Sequence, residues 1–271
     1  MSKADRKPYM NAVLILTLAV ILLPVLIMIV WSFIARWPWP DILPESWTTR
    51  TITELLHGSN DLVSILGSSI LLAMIVAVLG TVIGLMTARA TEIYRIRGRR
   101  VVSYVALLPL IVPSTVFAMG FQVTLIRMGL NDTMTGVVLS HLVAALPYCV
   151  TIMMDVTASV GDRLELQAQV LGASPARSFF DVSLPELLPG ILSSASMAFI
   201  ISYGQYFTTL LAGGGKIRTL ALVMVPYIQE GDKALSSIYA VVFVGSALVV
   251  FFVIELMMHK AMKGDKLFRV K

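Results

Sequence analysis

The chain has 271 residues, 57% of them hydrophobic and 14% charged, with a mean hydropathy of +0.85. A water-soluble domain carries about 25% charged residues, so this composition excludes an ordinary globular protein and favours a bundle solvated by lipid. One cysteine, Cys149, excludes a disulfide framework or a cysteine-based zinc site, and a net charge of +5 points to nucleic acid or anionic lipid only if the charges are not sorted in space.

Six charge-free windows run in chain order: Asn11–Ile34, Leu62–Ala88, Val101–Ile126, Thr133–Met154, Leu187–Gly215 and Ala234–Ile254. Each exceeds the roughly 20 residues that a helix needs to cross about 30 Å of hydrocarbon. They are continuously apolar instead of alternating, which predicts helices and not barrel strands. The expected fold class is an all-α membrane protein with six transmembrane helices, forming one transmembrane domain over residues 1–271.

Lys3, Arg6 and Lys7 precede the first window and superficially resemble a secretory signal. The window is too long for a signal core and no small-x-small site follows, so an uncleaved first helix is expected. Trp31, Trp37, Trp39 and Trp47 cluster near its external end, as an aromatic belt does. In the second window Gly80, Gly84 and Ala88 recur at every fourth position, a small-residue ladder for close helix packing.

The third window contains Pro109 and Pro113, which predict a break or kink. Carbonyls freed there and the hydroxyls of Ser114 and Thr115 are candidates to face a translocation pathway, a purely structural kink being the alternative. The fourth window holds His141 and, further along, Pro147-Tyr148. His141 reads either as an interhelical hydrogen-bonding group or as a substrate ligand, and Tyr148 joins it as a pathway candidate. The fifth window carries the densest polar group, Ser202 to Thr209, with Tyr203, Gln205, Thr208 and Thr209 as pathway candidates. A buried amide such as Gln205 needs partners, supplied either by a pore or by neighbouring helices. The apolar run Thr219–Gln229 contains Pro226 and is too short to span, so it is expected at one membrane surface.

Six spans place both termini on one side, with Asp155 and Glu255 at span ends on that side. Fifteen of the 21 Lys and Arg residues fall there, including the block Arg95-Ile96-Arg97-Gly98-Arg99-Arg100, so the positive-inside rule makes that side cytoplasmic. The +5 is then mainly a topology signal. The lipid bilayer is the expected surroundings and no nucleic-acid partner is expected, although the arginine block is also suited to anionic lipid.

The cytoplasmic connections are then Arg89–Arg100 and Asp155–Glu186, and the second is patterned. Leu164, Ala168 and Leu171 share one helical face, Asp162 is placed to cap its start, and Gly172 sits where a helix end favours a left-handed residue. Ala173 follows, and then a second short helix is expected, capped by Ser174 with Pro175 at its first position, presenting Arg177, Phe179 and Phe180 and stopping near Leu184-Pro185. Two short helices with paired aromatics to bury make a docking knob, and nothing in them does chemistry.

This segment resembles the cytoplasmic loop of permease subunits of type I binding-protein-dependent ATP-binding-cassette (ABC) importers. That pattern is E-A-A, three residues, G, nine residues, I-x-L-P. Gly172 is followed by nine residues and then Val182-Ser183-Leu184-Pro185. The triplet aligns with Leu166-Gln167-Ala168, retaining only Ala168, and Glu165 stands beside the missing glutamate. The resemblance implies the type I importer permease fold. It also implies a second permease subunit, two nucleotide-binding ATPase subunits into which Arg177, Phe179 and Phe180 would dock, and an external substrate-binding protein.

Pro109 and Pro113, the His141 to Tyr148 stretch, and the Ser202–Thr209 run leading into Leu211-Ala212-Gly213-Gly214 are most similar to the spermidine/putrescine subgroup. Iron(III), thiamine and phosphonate importers share much of that pattern. The alternative from another class is a self-sufficient secondary transporter or channel, which would need mid-membrane charges or an inverted repeat.

A phosphate-binding loop needs G-x-x-x-x-G-K-[ST]. The nearest string, Gly213-Gly214-Gly215-Lys216, has Leu210 at the first position and Ile217 after the lysine, and reads as a turn. No H-E-x-x-H site is present, and His57, His141 and His259 are far apart in sequence. The chain is therefore expected to hold no metal and no cofactor and to be no enzyme itself, with ATP and magnesium used by the partner ATPase in the bacterial cytoplasmic membrane.

Overall fold

Inside lipid no water satisfies the backbone, so apolar segments bond internally as helices. The computed structural model describes residues 3–37, 41–57 and 61–266, so Trp39, Arg269 and Lys271 lie outside the described residues. Helix α1 is Lys3–Trp31, followed by strands β1 (Ile34–Arg36) and β2 (Ser46–Trp47), then α2 (Arg50–His57) and α3 (Leu62–Ala88). Next come α4 (Arg99–Ile111), α5 (Ser114–Arg127), α6 (Met134–Val160), α7 (Arg163–Val170) and α8 (Pro175–Ser178). The remainder is α9 (Leu184–Tyr203), α10 (Phe207–Gly213), α11 (Leu220–Glu230) and α12 (Lys233–Lys266). Among the described residues five helices are long and apolar enough to cross a membrane, or six if the bent pair of α4 and α5 is counted as one span.

The chain divides into two compact units, residues 1–64 with 223–246, and residues 65–222 with 247–271. In the first, β1 and β2 pair antiparallel with Ile34 opposite Trp47. The Thr51 hydroxyl donates to the Ser32 carbonyl, Arg50 meets Asp232 at 3.5 Å, and the Tyr227 and Tyr239 rings stack at 5.3 Å. Helix α1 exposes Leu14, Ile15, Leu18 and Ile21 all round, as a helix bathed in lipid does.

The second unit is built on the packing of α6 against α9, with Leu72, Leu125, Val137 and Ala212 forming a buried cluster around Phe121 and Met134. The small-residue ladder of α3 faces α6. A Cβ added at Gly84 would come 2.8 Å from the Cys149 carbonyl oxygen, so only glycine permits this approach.

The windows and helices differ where the backbone has a reason to break. The first helix ends at Trp31, not Ile34, because Ile34 is already paired in β1. The third window splits at Pro113, while Pro109 stays inside α4. Val112 is extended at φ −83°, ψ 133°, as a residue before proline prefers, and α4 and α5 meet at 108°. The fourth helix continues past Met154 to Val160, which leaves Asp155 within it; its N-cap Thr133 accepts the Gly136 N–H at 3.1 Å.

The fifth window is two helices, α9 and α10, separated at Gly204–Tyr206. The expected stop at Leu184-Pro185 does not occur. Residues Phe179–Ser183 form a π turn that passes directly into α9, and Pro185 falls in the first turn of α9. The last helix begins at Lys233, where the Asp232 carboxylate accepts the Leu235 N–H at 3.0 Å.

Candidate functional site

Helix α7 begins after Gly161, in a left-handed conformation at φ +68°. Asp162 occupies the capping position, but its side chain makes no capping hydrogen bond; its carbonyl accepts the Leu166 N–H instead. At the other end Gly172 has φ +95°, a conformation costly for any side chain, and the Ala173 N–H returns to the Ala168 carbonyl at 3.0 Å. The Ser174 hydroxyl accepts the Arg177 N–H at 3.3 Å, with Pro175 opening α8. Gln169 donates to the Ser178 hydroxyl at 3.1 Å, tying the two short helices together.

The orientation of α7 inverts the usual expectation. Leu164 and Leu171 face outward, with Leu166 and Val170 beside them, and Val170 and Leu171 are almost fully exposed. The residue turned inward is Glu165, only 7% exposed. Arg89, at the end of the second span, donates to both carboxylate oxygens at 3.1 and 3.0 Å, and the Ser183 hydroxyl donates at 2.7 Å. Burial by itself would raise the Glu165 pKa; the hydrogen bonds from Arg89 and Ser183, aided by the Arg89 charge, outweigh it and hold the carboxyl below its ordinary value.

The Arg89 guanidinium also lies 4.4 Å from the centre of the Phe179 ring. Phe179 is thereby turned inward, whereas Phe180, in edge contact with it at 5.1 Å, is exposed. Arg177 is exposed and pairs with Asp181 at 3.2 Å. The sequence predicts that Arg177, Phe179 and Phe180 are presented together; Arg177 and Phe180 are exposed, whereas Phe179 is partly buried against Arg89. Glu165 and Arg89 are not among the residues the sequence singles out. The available signal was that Glu165 is the one acid in α7 and Arg89 the first charge after a 27-residue apolar helix.

The pathway candidates fall into two groups. His141 is fully buried and bridges two helices, with Nδ1 at 2.9 Å from the Ser202 hydroxyl and Nε2 at 2.9 Å from the Thr209 hydroxyl. The Thr209 hydroxyl donates to the Gln205 carbonyl, so it must accept from His141, which places the ring proton on Nε2 and makes Ser202 the donor to Nδ1. Thr208 donates to the Gln205 side-chain oxygen at 2.9 Å. Tyr203 is buried and stacks on Phe199 at 5.3 Å. This network ties α6 to both sides of the break between α9 and α10, and the Thr209 hydroxyl satisfies the Gln205 carbonyl within it. Tyr148 is partly buried on α6, and Ser114 and Thr115 are exposed at the break between α4 and α5.

The Gly213–Lys216 string forms the expected turn, with Lys216 paired to Asp132 at 3.3 Å. Gln122 was not anticipated; it donates to the Leu211 carbonyl at 2.9 Å and fastens α5 to α10.

A family model described as the binding-protein-dependent transport system inner membrane component matches residues 80–261, a range that holds the whole α7–α8 segment. The molybdate/tungstate transport system permease protein of Pyrococcus abyssi is 28% identical over 212 residues, 78% of this chain and 84% of its own length. The putrescine transport system permease protein of Escherichia coli is 22% identical over 270 residues, 95% of this chain and 93% of its own length. A crystal structure of a bacterial ABC transporter that imports the acidic polysaccharide alginate superposes with a TM-score of 0.67 at 18% identity, covering 94% of this chain and 98% of that one, a likeness of fold.

Proposed function

Because the chain belongs to the family of inner membrane components of binding-protein-dependent transport systems and is a multi-pass permease subunit of an ABC importer, we propose that it forms half of a translocation pathway for a small polyamine-type solute. A second permease subunit supplies the other half, two ATPase subunits bind ATP and magnesium, and an external binding protein delivers the cargo. Both termini face the cytoplasm in this reading, since the basic residues of the α3–α4 connection and of the α7–α8 segment then lie inside.

One observation carries the docking assignment: α7 and α8 turn their one buried acid inward and leave Leu164, Leu166, Val170, Leu171 and Phe180 bare. An apolar patch of this kind on a membrane protein's connecting segment needs a partner surface. Ala168, Gly172, Ala173, Ser174, Pro175, Leu184 and Pro185 shape the segment and join it to the fifth span. ATP-driven closure of the ATPase pair then reaches α9 through the continuous helical run Pro175–Tyr203.

The cargo assignment rests on the near full-length match to the putrescine permease; the molybdate/tungstate permease is its competitor. Ser114, Thr115, Tyr148, Gln205 and Thr208 line the path at the two helix breaks, while His141, Tyr203 and Thr209 hold the second break in shape from behind.

The docking test is the double substitution Leu171→Asp/Phe180→Asp. Both side chains are exposed, so the fold survives while capture of the ATPase subunits fails. Capture equal to wild type would refute the assignment. Uptake of radiolabelled putrescine against molybdate by the assembled complex separates the two cargo classes.

A further inference from the structure

Helix α7 is joined to its neighbours by soft connections. Gly161 before it and Gly172 after it both sit at positive φ, and no side chain caps its start. Helix α8 differs, running through the π turn into α9 without interruption. Gln169 ties α7 to α8 by one hydrogen bond to Ser178, so a push on α7 reaches α9 that way, but it reaches the second span only if something else fixes α7 there.

That fixture is the Glu165 carboxylate. Its contacts are a bidentate pair with Arg89 at 3.0 and 3.1 Å and the Ser183 hydroxyl at 2.7 Å, with side-chain exposures of 12% for Arg89 and 9% for Glu165. A planar guanidinium fork on a carboxylate fixes orientation as well as distance, unlike a single point contact. Phe179 covers one face of the fork at 4.4 Å. Arg89 opens a π turn, Arg89–Ile93, that continues the second span directly, so it moves with α3.

We infer that Arg89 and Glu165 are positioning residues that make α7 and the end of the second span move as one body during transport. The inference rests on the proposed docking of α7 and α8 to an ATPase subunit. The docked segment then drives two spans by separate routes, the fifth through the unbroken α8–α9 backbone and the second through this ion pair. Ser183, in the π turn that leads into α9, bonds the same carboxylate, so both routes meet at Glu165.

The test uses the complete transporter in proteoliposomes and reads the stimulation of ATP hydrolysis by the cognate binding protein, which requires no knowledge of the cargo. Removing one partner strands a buried charge, so the informative variant is the double R89A/E165A, with E165Q and the conservative E165D alongside. The wild-type complex must capture ATPase subunits and show stimulation; if it does not, the docking reading fails before the ion pair is tested. Given a responsive wild type, assembled R89A/E165A complexes lose at least fivefold of the stimulation and E165D retains at least half. Stimulation within twofold of wild type in assembled R89A/E165A overturns the inference. Failure of both R89A/E165A and E165Q to assemble assigns the pair to folding alone and overturns it as well.

Discussion

Gly84→Ala probes how closely the second and fourth spans approach. The added methyl would sit 2.8 Å from the Cys149 carbonyl oxygen and 2.9 Å from its carbon, both backbone atoms that no rotamer change can move. Helices α3 and α6 must therefore part, and overpacking of this kind costs about 1–3 kcal/mol. Alanine also gains up to about 1 kcal/mol of helix propensity over glycine, which masks part of that cost. Gly67→Ala is the internal reference, since Gly67 lies in the same helix with nothing within 4 Å of its added Cβ. The difference between the two variants isolates the packing term. It should lower the thermal midpoint of purified G84A relative to G67A by roughly 2–12 °C, taking about 2–4 °C per kcal/mol. Equal midpoints would refute the close approach of α3 and α6.

His141→Phe strands the buried Ser202 hydroxyl, while Thr209 keeps its bond to the Gln205 carbonyl, and the orphaned group costs about 1–3 kcal/mol, read as a lower thermal midpoint. Thr209→Val should produce a loss of similar size by the same measurement, because it strands the buried His141 Nε2–H while Ser202 keeps its bond. Ser174→Ala removes the cap on α8 and should cost about 1 kcal/mol by thermal unfolding of the purified chain. For Glu165 the folded pKa lies below the carboxyl's ordinary value of 4.5, so its stabilisation is fully present above pH 4.5 and is lost as pH falls through the lower folded value. An acid unfolding titration should therefore show a limb below about pH 4.5 that is absent in E165Q.

Much of the architecture is written in where charges are missing. The second window and α3 share the bounds Leu62 and Ala88, because charge placement and helix ends obey the same constraint in lipid. The breaks were legible only in part. Pro113 announces one, yet Pro109 is equally prominent and does nothing visible to α4 beyond sitting inside it. The Gly204–Tyr206 break has no proline, and His141, a residue far away in sequence, pins hydroxyls on both sides of it, Ser202 and Thr209. Periodicity put Leu164, Ala168 and Leu171 on one face of α7 but could not say which way that face turns. The pairing of Glu165 with Arg89 across 76 positions, which turns the polar side of α7 inward, leaves no local trace.

The central claim is that this permease moves solute only when its α7–α8 segment is seated on an ATPase. The most direct measurement is uptake of radiolabelled putrescine into proteoliposomes holding the complete complex, with and without ATP, for wild type and for Leu171→Asp/Phe180→Asp. The expected result is uptake that requires ATP and the external binding protein and disappears in the variant. Uptake by this chain alone, without ATP or partner subunits, would contradict the account.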